Sequence, residues 1–528
     1  MMDTATATAF DFVAFFWLMM IASAVAMVGR YVRVPYALAL VMVGLLIGPA
    51  HLLPQVHLEP HILFTVFLPP LLFESALNMR VELLRRNWQP IAVLALAGTL
   101  LSTAVVGGLS AWLLGLPLLT GLLFGAIISP TDPVSVIALL KELNVSKRLA
   151  TAMEAESLFN DGIAVVLFGL LLEAGGGGSI TLVDGIERFL TVVAGGALLG
   201  GGIGALASRV TREFDDHLLE IMLTTVVAFG AFLGAESLGV SGVIAVVVAG
   251  LVMGSYGMET GMSPTTRLAV TSFWEYAAFA VNSVVFLLVG LEVTFVGLSR
   301  AFPMLFVAVA VVLGGRLLSV YGLSPLVKAL GGTMPAAWRH VFFWGALRGA
   351  LPMALVLGLG KSFPYREQLV MLTFGVVLFS LLVQGLSMRR LLRALGLSQA
   401  PSPVVEHGRL TSQILAARAA LESLEDLRRR RVVSPATYDG LVESYRARLQ
   451  ELEARVEAMH LSDAELRAAQ ENEARRIALL AEKSALREAE RTGLLDEEQL
   501  RELVADIDRR LESLLRPADE RGGGGPPW

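Results

Sequence analysis

Apolar stretches close to the roughly 20 residues that a helix needs to cross a bilayer recur along the first 400 positions of this chain. They fall at 10–29, 36–53, 60–79, 88–114, 117–141, 150–173, 187–208, 216–238, 241–257, 271–296, 302–329, 338–360 and 366–388. Only Leu238–Gly239–Val240 separates the eighth from the ninth. In lipid each backbone polar group must be satisfied within a helix or a closed barrel. The pattern therefore predicts an all-α polytopic membrane protein of about 13 transmembrane helices. Charge divides the chain in the same place. Residues 1–400 carry 22 Lys/Arg and 22 Asp/Glu, whereas the last 128 residues carry 20 and 25. We expect a transmembrane domain over 1–400, a cytoplasmic helical or coiled-coil tail over 401–521 and a disordered C-terminus over 522–528. Neither part has the basic excess that nucleic-acid binding through bulk charge requires.

The chain has no cysteine, which excludes disulfides, thiolate catalysis and Cys-ligated metals. Asp3 stands before the first apolar run and Asp11 at its start, where a cleavable signal would place positive charge. Loop charge predicts the orientation. Loops after odd-numbered spans hold sixteen Lys/Arg, from Arg30 and Arg33 to Arg393, and loops after even-numbered spans hold four: Arg188, Arg300, Lys361 and Arg366. The positive side is cytoplasmic, so the N-terminus is expected outside and the C-terminus inside.

Two spans are interrupted. The fifth contains Ser129–Pro130–Thr131–Asp132–Pro133 and the twelfth Arg348–Gly349–Ala350–Leu351–Pro352. Each sequence frees backbone groups near mid-membrane. The two spans correspond if spans 1–6 and 8–13 are repeats, and an odd displacement makes the repeats inverted. Broken helices at matching positions of inverted repeats point to a transporter's ion site.

Ionisable residues inside apolar spans point the same way. The sixth span carries Glu156–Ser157–Leu158–Phe159–Asn160–Asp161. At helical spacing, Glu156 stacks on Asn160 and Ser157 on Asp161, giving two carboxylates, a hydroxyl and an amide on one stripe. A polar seam between helices accounts for Ser and Asn but not for two acids. Asp132 lies in the first break, Arg348 in the second, and Glu74 follows Phe67–Leu68–Pro69–Pro70–Leu71–Leu72–Phe73 in the third span. Arginine keeps its proton, so Arg348 is expected to pair with a buried acid. A carboxylate left over then holds either a proton or a small cation. A hard cation prefers oxygen, and Asp161, the Ser157 hydroxyl, a carbonyl at Thr131 and water held by Glu74 or Asp132 supply it. Glu275 and Glu292 bracket the tenth span and Arg316 sits inside the eleventh; each reads as a structural pairing residue, being close to a helix end or having a plausible partner. His51, His57, His61 and Glu59 have metal-ligand spacing but read as surface residues of a short loop.

Taken together, Phe159–Asn160–Asp161–Gly162, Ser129–Pro130–Thr131–Asp132–Pro133, Leu347–Arg348–Gly349–Ala350–Leu351–Pro352 and the Phe67-to-Glu74 segment resemble the monovalent cation:proton antiporter family, which includes the sodium/proton exchangers. The resemblance covers about residues 10–395. It implies a homodimer in which a six-helix core moves like an elevator against a dimerisation domain. By position, Asp161 would be the ion- and proton-binding carboxylate. Ser157 and the Thr131 backbone would be further sodium ligands, with Glu74 acting through water. Glu156 and Arg348 would form a buried ion pair, Asn160 would tie the sixth helix to the break at Thr131, and Asp132 would balance the half-helix termini. Electrogenic relatives carry an aspartate at the position of Asn160, so asparagine there implies one proton per cation.

The leading expectation is thus electroneutral sodium (or lithium)/proton antiport in a plasma membrane. Potassium/proton exchange is the alternative, and a cation channel is the competing class. No cofactor is expected, because the ions are cargo, and no enzymatic activity. A hydrolase would need a Gly-x-Gly-Asp aspartate, a Ser/His pair or an H-E-x-x-H helix. The tail lies outside the family motifs. Its apolar spacing near 3.5–3.6 in 441–459 and 464–490, with breaks at Ser434–Pro435 and Gly493, predicts three or four helices in a hairpin bundle or coiled coil. A regulatory ligand or protein is its expected partner. Arg428 to Arg431 read as a solvated helix face rather than a lipid contact, given Glu422, Glu425 and Asp426 one or two turns earlier.

Overall fold

The computed structural model describes residues 12–29, 36–48, 63–79, 81–143, 145–175, 182–211, 213, 216–258, 261–292, 295–360, 362–397, 403–430 and 434–458, with scattered positions between 471 and 510. Among the described residues the regular elements are all helices, and the chain divides into two compact units, Met1–Ser398 and Gln399–Trp528.

Seven helices of the first unit are long and apolar enough to cross a membrane, and five shorter apolar helices accompany them. The remaining expected span, 338–360, is present as two short helices, Ala336–Trp344 and Ala350–Leu357, on either side of the second break. The eighth and ninth spans are separate helices, His217–Ser237 and Gly242–Val252. Gly239, at φ +69°, reverses the chain between them, a conformation that glycine adopts without steric cost. Trp112, Leu198 and Phe306 are each more than three-quarters exposed. Such a broad apolar exterior suits a lipid solvent.

Small residues bring the membrane helices close. A Cβ on Gly44 of the Tyr36–Ile47 helix would lie 2.4 Å from the Leu287 carbonyl and 2.9 Å from Gly290 Cα. The backbones of this helix and of Pro264–Glu292 are therefore in direct contact, as expected where packing rather than the hydrophobic effect drives association.

The two interrupted spans meet at their breaks. The first stops at Ile128 and resumes at Val134, and the second stops at Trp344 and resumes at Ala350. The Asp132 backbone N–H donates to the Leu347 carbonyl at 2.8 Å, so each break satisfies part of the other. Their approach leaves no room for a side chain at Gly349, where a Cβ would lie 2.5 Å from Asp132 Cβ and 2.6 Å from its Oδ2. The Lys147–Gly175 helix, which carries the acid stripe, passes the crossing.

In the second unit, Pro403–Arg429 and Pro435–Glu457 form an antiparallel hairpin. Leu424, Tyr438 and Val442 make a small core near the turn, and Arg418 pairs with Glu453 at 2.9 Å further out. The basic run is engaged within the hairpin. Arg428 lies over the Tyr438 ring at 4.7 Å, Arg429 faces Glu425 at 3.8 Å and Arg430 faces Asp426 at 3.1 Å. Arg431, the break at Gly493, most of the 464–490 helix and the 522–528 terminus lie outside the described residues. So do His51, His57, Glu59, His61 and the Glu292 side chain.

Candidate ion-binding site

Asp161 sits at the crossing. Its Oδ1 accepts the Thr131 backbone N–H at 3.2 Å, a donor released because the fifth span is not helical there. One turn earlier, the Ser157 hydroxyl donates to the Thr131 carbonyl. Two of the expected sodium ligands thus face each other, and the lone pairs left on both oxygens remain available to a cation. A cavity of about 350 Å³ is lined by Asp161, Ser157, Thr131, Asp132 and Glu74, so one space unites all five expected binding residues. Asp132 Oδ1 accepts the Val134 N–H at 3.0 Å and caps the second half-helix of its span. This places its charge at the positive end of a helix dipole. Glu74 reaches the cavity from Leu68–Leu77, its carboxylate held by Asn78 at 2.9 Å and Ser75 at 3.3 Å. Among the described residues no group of three or more His, Asp or Glu could hold a metal ion.

The buried residues behind the cavity depart from the sequence expectation in one respect. Glu156 pairs not with Arg348 but with Arg316, Nη1 to Oε1 at 2.8 Å, with both side chains almost fully buried. Arg316 also donates to the Phe342 carbonyl through Nε at 3.2 Å and Nη2 at 3.0 Å. Arg348 instead uses Nη1 to hold the carbonyls of Ser129 and Pro130, at 2.8 and 3.0 Å. Arg316, in the last turn of Phe295–Leu317, thus has the structural pairing role expected of it, but it takes the buried acid expected for Arg348, so there are more buried arginines than the one for which an acid was sought. Two are buried, and each lies against the carbonyl end of a half-helix, where the dipole favours a cation. Arg348 therefore has a counter-charge made of peptide carbonyls.

Asn160 ties the acid-bearing helix to the break as expected. Its Nδ2 donates to the Ser129 carbonyl at 3.0 Å and to Thr131 Oγ1 at 3.3 Å. Sequence reasoning missed Thr99, whose hydroxyl lies 2.7 Å from Asn160 Oδ1 and 2.5 Å from the Ala95 carbonyl, the two oxygens sharing its one proton. It also missed Ser380, which accepts the Arg348 backbone N–H at 3.1 Å. Both positions adjoin π-helical turns, Val93–Gly98 before Thr99 and Ser380–Gly385 at Ser380, and a third, Leu318–Gly322, follows Arg316. Single π turns inside α-helices are frequent at functional sites. Glu275 is exposed and forms part of the electrostatic surroundings of Glu74.

The sequence profile of the family described as "Sodium/hydrogen exchanger, transmembrane" matches residues 18–394. The chain belongs to this family. Among similar exchangers, the Na(+)/H(+) antiporter NhaG of Bacillus atrophaeus is 36% identical over 519 residues, covering 95% of this chain and 97% of the relative. The low-affinity Na(+)/H(+) antiporter NhaS1 of Synechocystis is 40% identical over 399 residues, 74% and 76% of the two chains. The fold matches that of the sodium proton antiporter MjNhaP1 from Methanocaldococcus jannaschii with a TM-score of 0.61 and 22% identity, over 73% of this exchanger and 98% of that chain. The protein is thus a multi-pass membrane protein of the exchanger family.

Proposed function

We propose that the protein exchanges one sodium or lithium ion for one proton across the plasma membrane, the two competing for Asp161. The observation that carries this reading is the position of that carboxylate. It lines a cavity, accepts one backbone N–H, and among the described residues no ion pair reaches it. Glu156, by contrast, is consumed by Arg316. A carboxylate in this setting needs a proton or a cation to balance it, which is the elementary requirement for exchange. Asn160 supports electroneutrality, since a neutral amide there leaves one carboxylate to cycle. The curated relatives' sodium/proton activity favours sodium over potassium.

Alternating access requires that the site communicate with one face at a time. A second cavity, of about 1000 Å³, lies around the opposite end of the acid-bearing helix and is lined by Glu173, Arg188 and Phe168, and Leu68 lines both cavities. This favours an elevator-type transporter over a channel. We further propose a homodimer with the N-terminus outside and residues 401–521 as a cytoplasmic tail, on the loop-charge bias. That bias makes the Asp161 cavity, which extends to Lys141, the cytoplasmic one.

Proteoliposomes with an imposed pH gradient test the proposal. Sodium and lithium should dissipate the gradient, potassium should not, and clamping the membrane potential should leave the rate unchanged. Asp161→Asn should abolish the signal in folded protein. Dissipation by potassium alone, or by sodium in the Asp161→Asn variant, would overturn the assignment.

A further inference from the structure

The Asp161 cavity has a charged mouth that the exchange reading does not use. Glu154 lines it, three residues before Ser157 and seven before Asp161 on the same helix. Seven residues are about two turns, or about 10.5 Å along the axis, so the three side chains form one polar track. Across the cavity, Lys141 closes the last turn of Val134–Glu142 and lines the same space. Glu154 lies in the electrostatic field of both Lys141 and Glu74, and Glu74 in that of Lys141 and Glu275. Lys141 is exposed and Glu154 half-buried, and among the described residues no salt bridge joins them to each other. The adjacent Glu142 pairs outward with Arg389 at 2.6 Å.

We propose that Glu154 is a waypoint carboxylate for the transported cation and that Lys141 is its tethered competitor. Resting on the exchange reading above, the pair sets the cation concentration at which transport half-saturates from this face. The chemistry is that of a monovalent cation exchanging against an ammonium. A hydrated sodium ion entering the mouth meets a carboxylate before it reaches Asp161. The Lys141 ammonium, on a flexible stem, lies within electrostatic reach of that carboxylate and competes with sodium for it, losing as sodium concentration rises. Neither group touches Asp161, so the chemistry at the site itself is unaltered.

Everted membrane vesicles, which by the loop-charge orientation present this face to the bath, provide the test. Glu154→Gln should raise the half-saturating sodium concentration by about threefold to tenfold, and Lys141→Gln should lower it by a similar factor. Maximal rates should stay close to wild type in both. Adding an inert organic salt should screen the mouth, raising half-saturation in the wild type but not in Glu154→Gln. A structural role for either residue would lower the maximal rate without moving half-saturation in opposite directions. Shifts in the same direction, no shifts, or an equal salt effect in Glu154→Gln would overturn the proposal while wild-type exchange stood. Absence of sodium-driven exchange in wild-type vesicles would instead overturn the reading on which it rests.

Discussion

At the scale of single residues, the decisive distinction is between acids that are paired and an acid that is not. Glu156 and Asp161 sit five residues apart on one helix, yet Arg316 neutralises the first and the second faces a cavity. The stripe itself was legible in the sequence, because helical spacing puts Glu156, Ser157, Asn160 and Asp161 on one side. The partner of Glu156 was not, since it lies 160 positions away and only the fold decides which arginine arrives. The observed pairing puts the larger stability cost on Arg316 rather than on Arg348. Arg316→Ala removes two bonds to the Phe342 carbonyl, as many carbonyl bonds as Arg348→Ala loses, and in addition strands Glu156 without a counter-charge, which should cost about 3–5 kcal/mol more. Arg348→Ala leaves two carbonyls without their donor, at about 1.5–3 kcal/mol for each charge-assisted bond. Folded yield and thermal midpoint in detergent should therefore fall further for Arg316→Ala. Combining Arg316→Ala with Glu156→Gln should recover part of the loss.

Among the elements, the crossing of the two broken spans organises the site. Proline and glycine clusters inside apolar runs made both breaks readable, as did the inverted-repeat argument that set them against each other. The π turns were not readable. They depend on local backbone packing around Thr99, Arg316 and Ser380, and Thr99 differs in no sequence feature from the many hydroxyl residues of membrane helices. The tightest test of the crossing is Gly349. An alanine Cβ there would fall 2.5 Å from Asp132 Cβ, which both backbones must move to relieve. Gly349→Ala should therefore lengthen the bond from Asp132 N–H to the Leu347 carbonyl and displace Thr131 from Asp161. The expected result is loss of at least nine-tenths of sodium-driven exchange in protein that still purifies as a monodisperse peak. Wild-type rates in this variant would show that the breaks can separate without consequence.

For the molecule as a whole, charge composition and apolar periodicity carried the division into an apolar unit and a charged tail. They carried nothing about where water reaches. That information lies in side chains that only the assembled fold places, and one of them has a consequence for energy conservation. Leu68 is buried to 1% exposure and borders both cavities; on the alternating-access proposal above, the bulk of this side chain insulates one compartment from the other. Leu68→Ala should let a thread of water join the two spaces. The variant should then dissipate an imposed pH gradient with no sodium present, seen as dye-reported proton leak in proteoliposomes. A cell carrying it would spend its proton gradient continuously without moving any sodium.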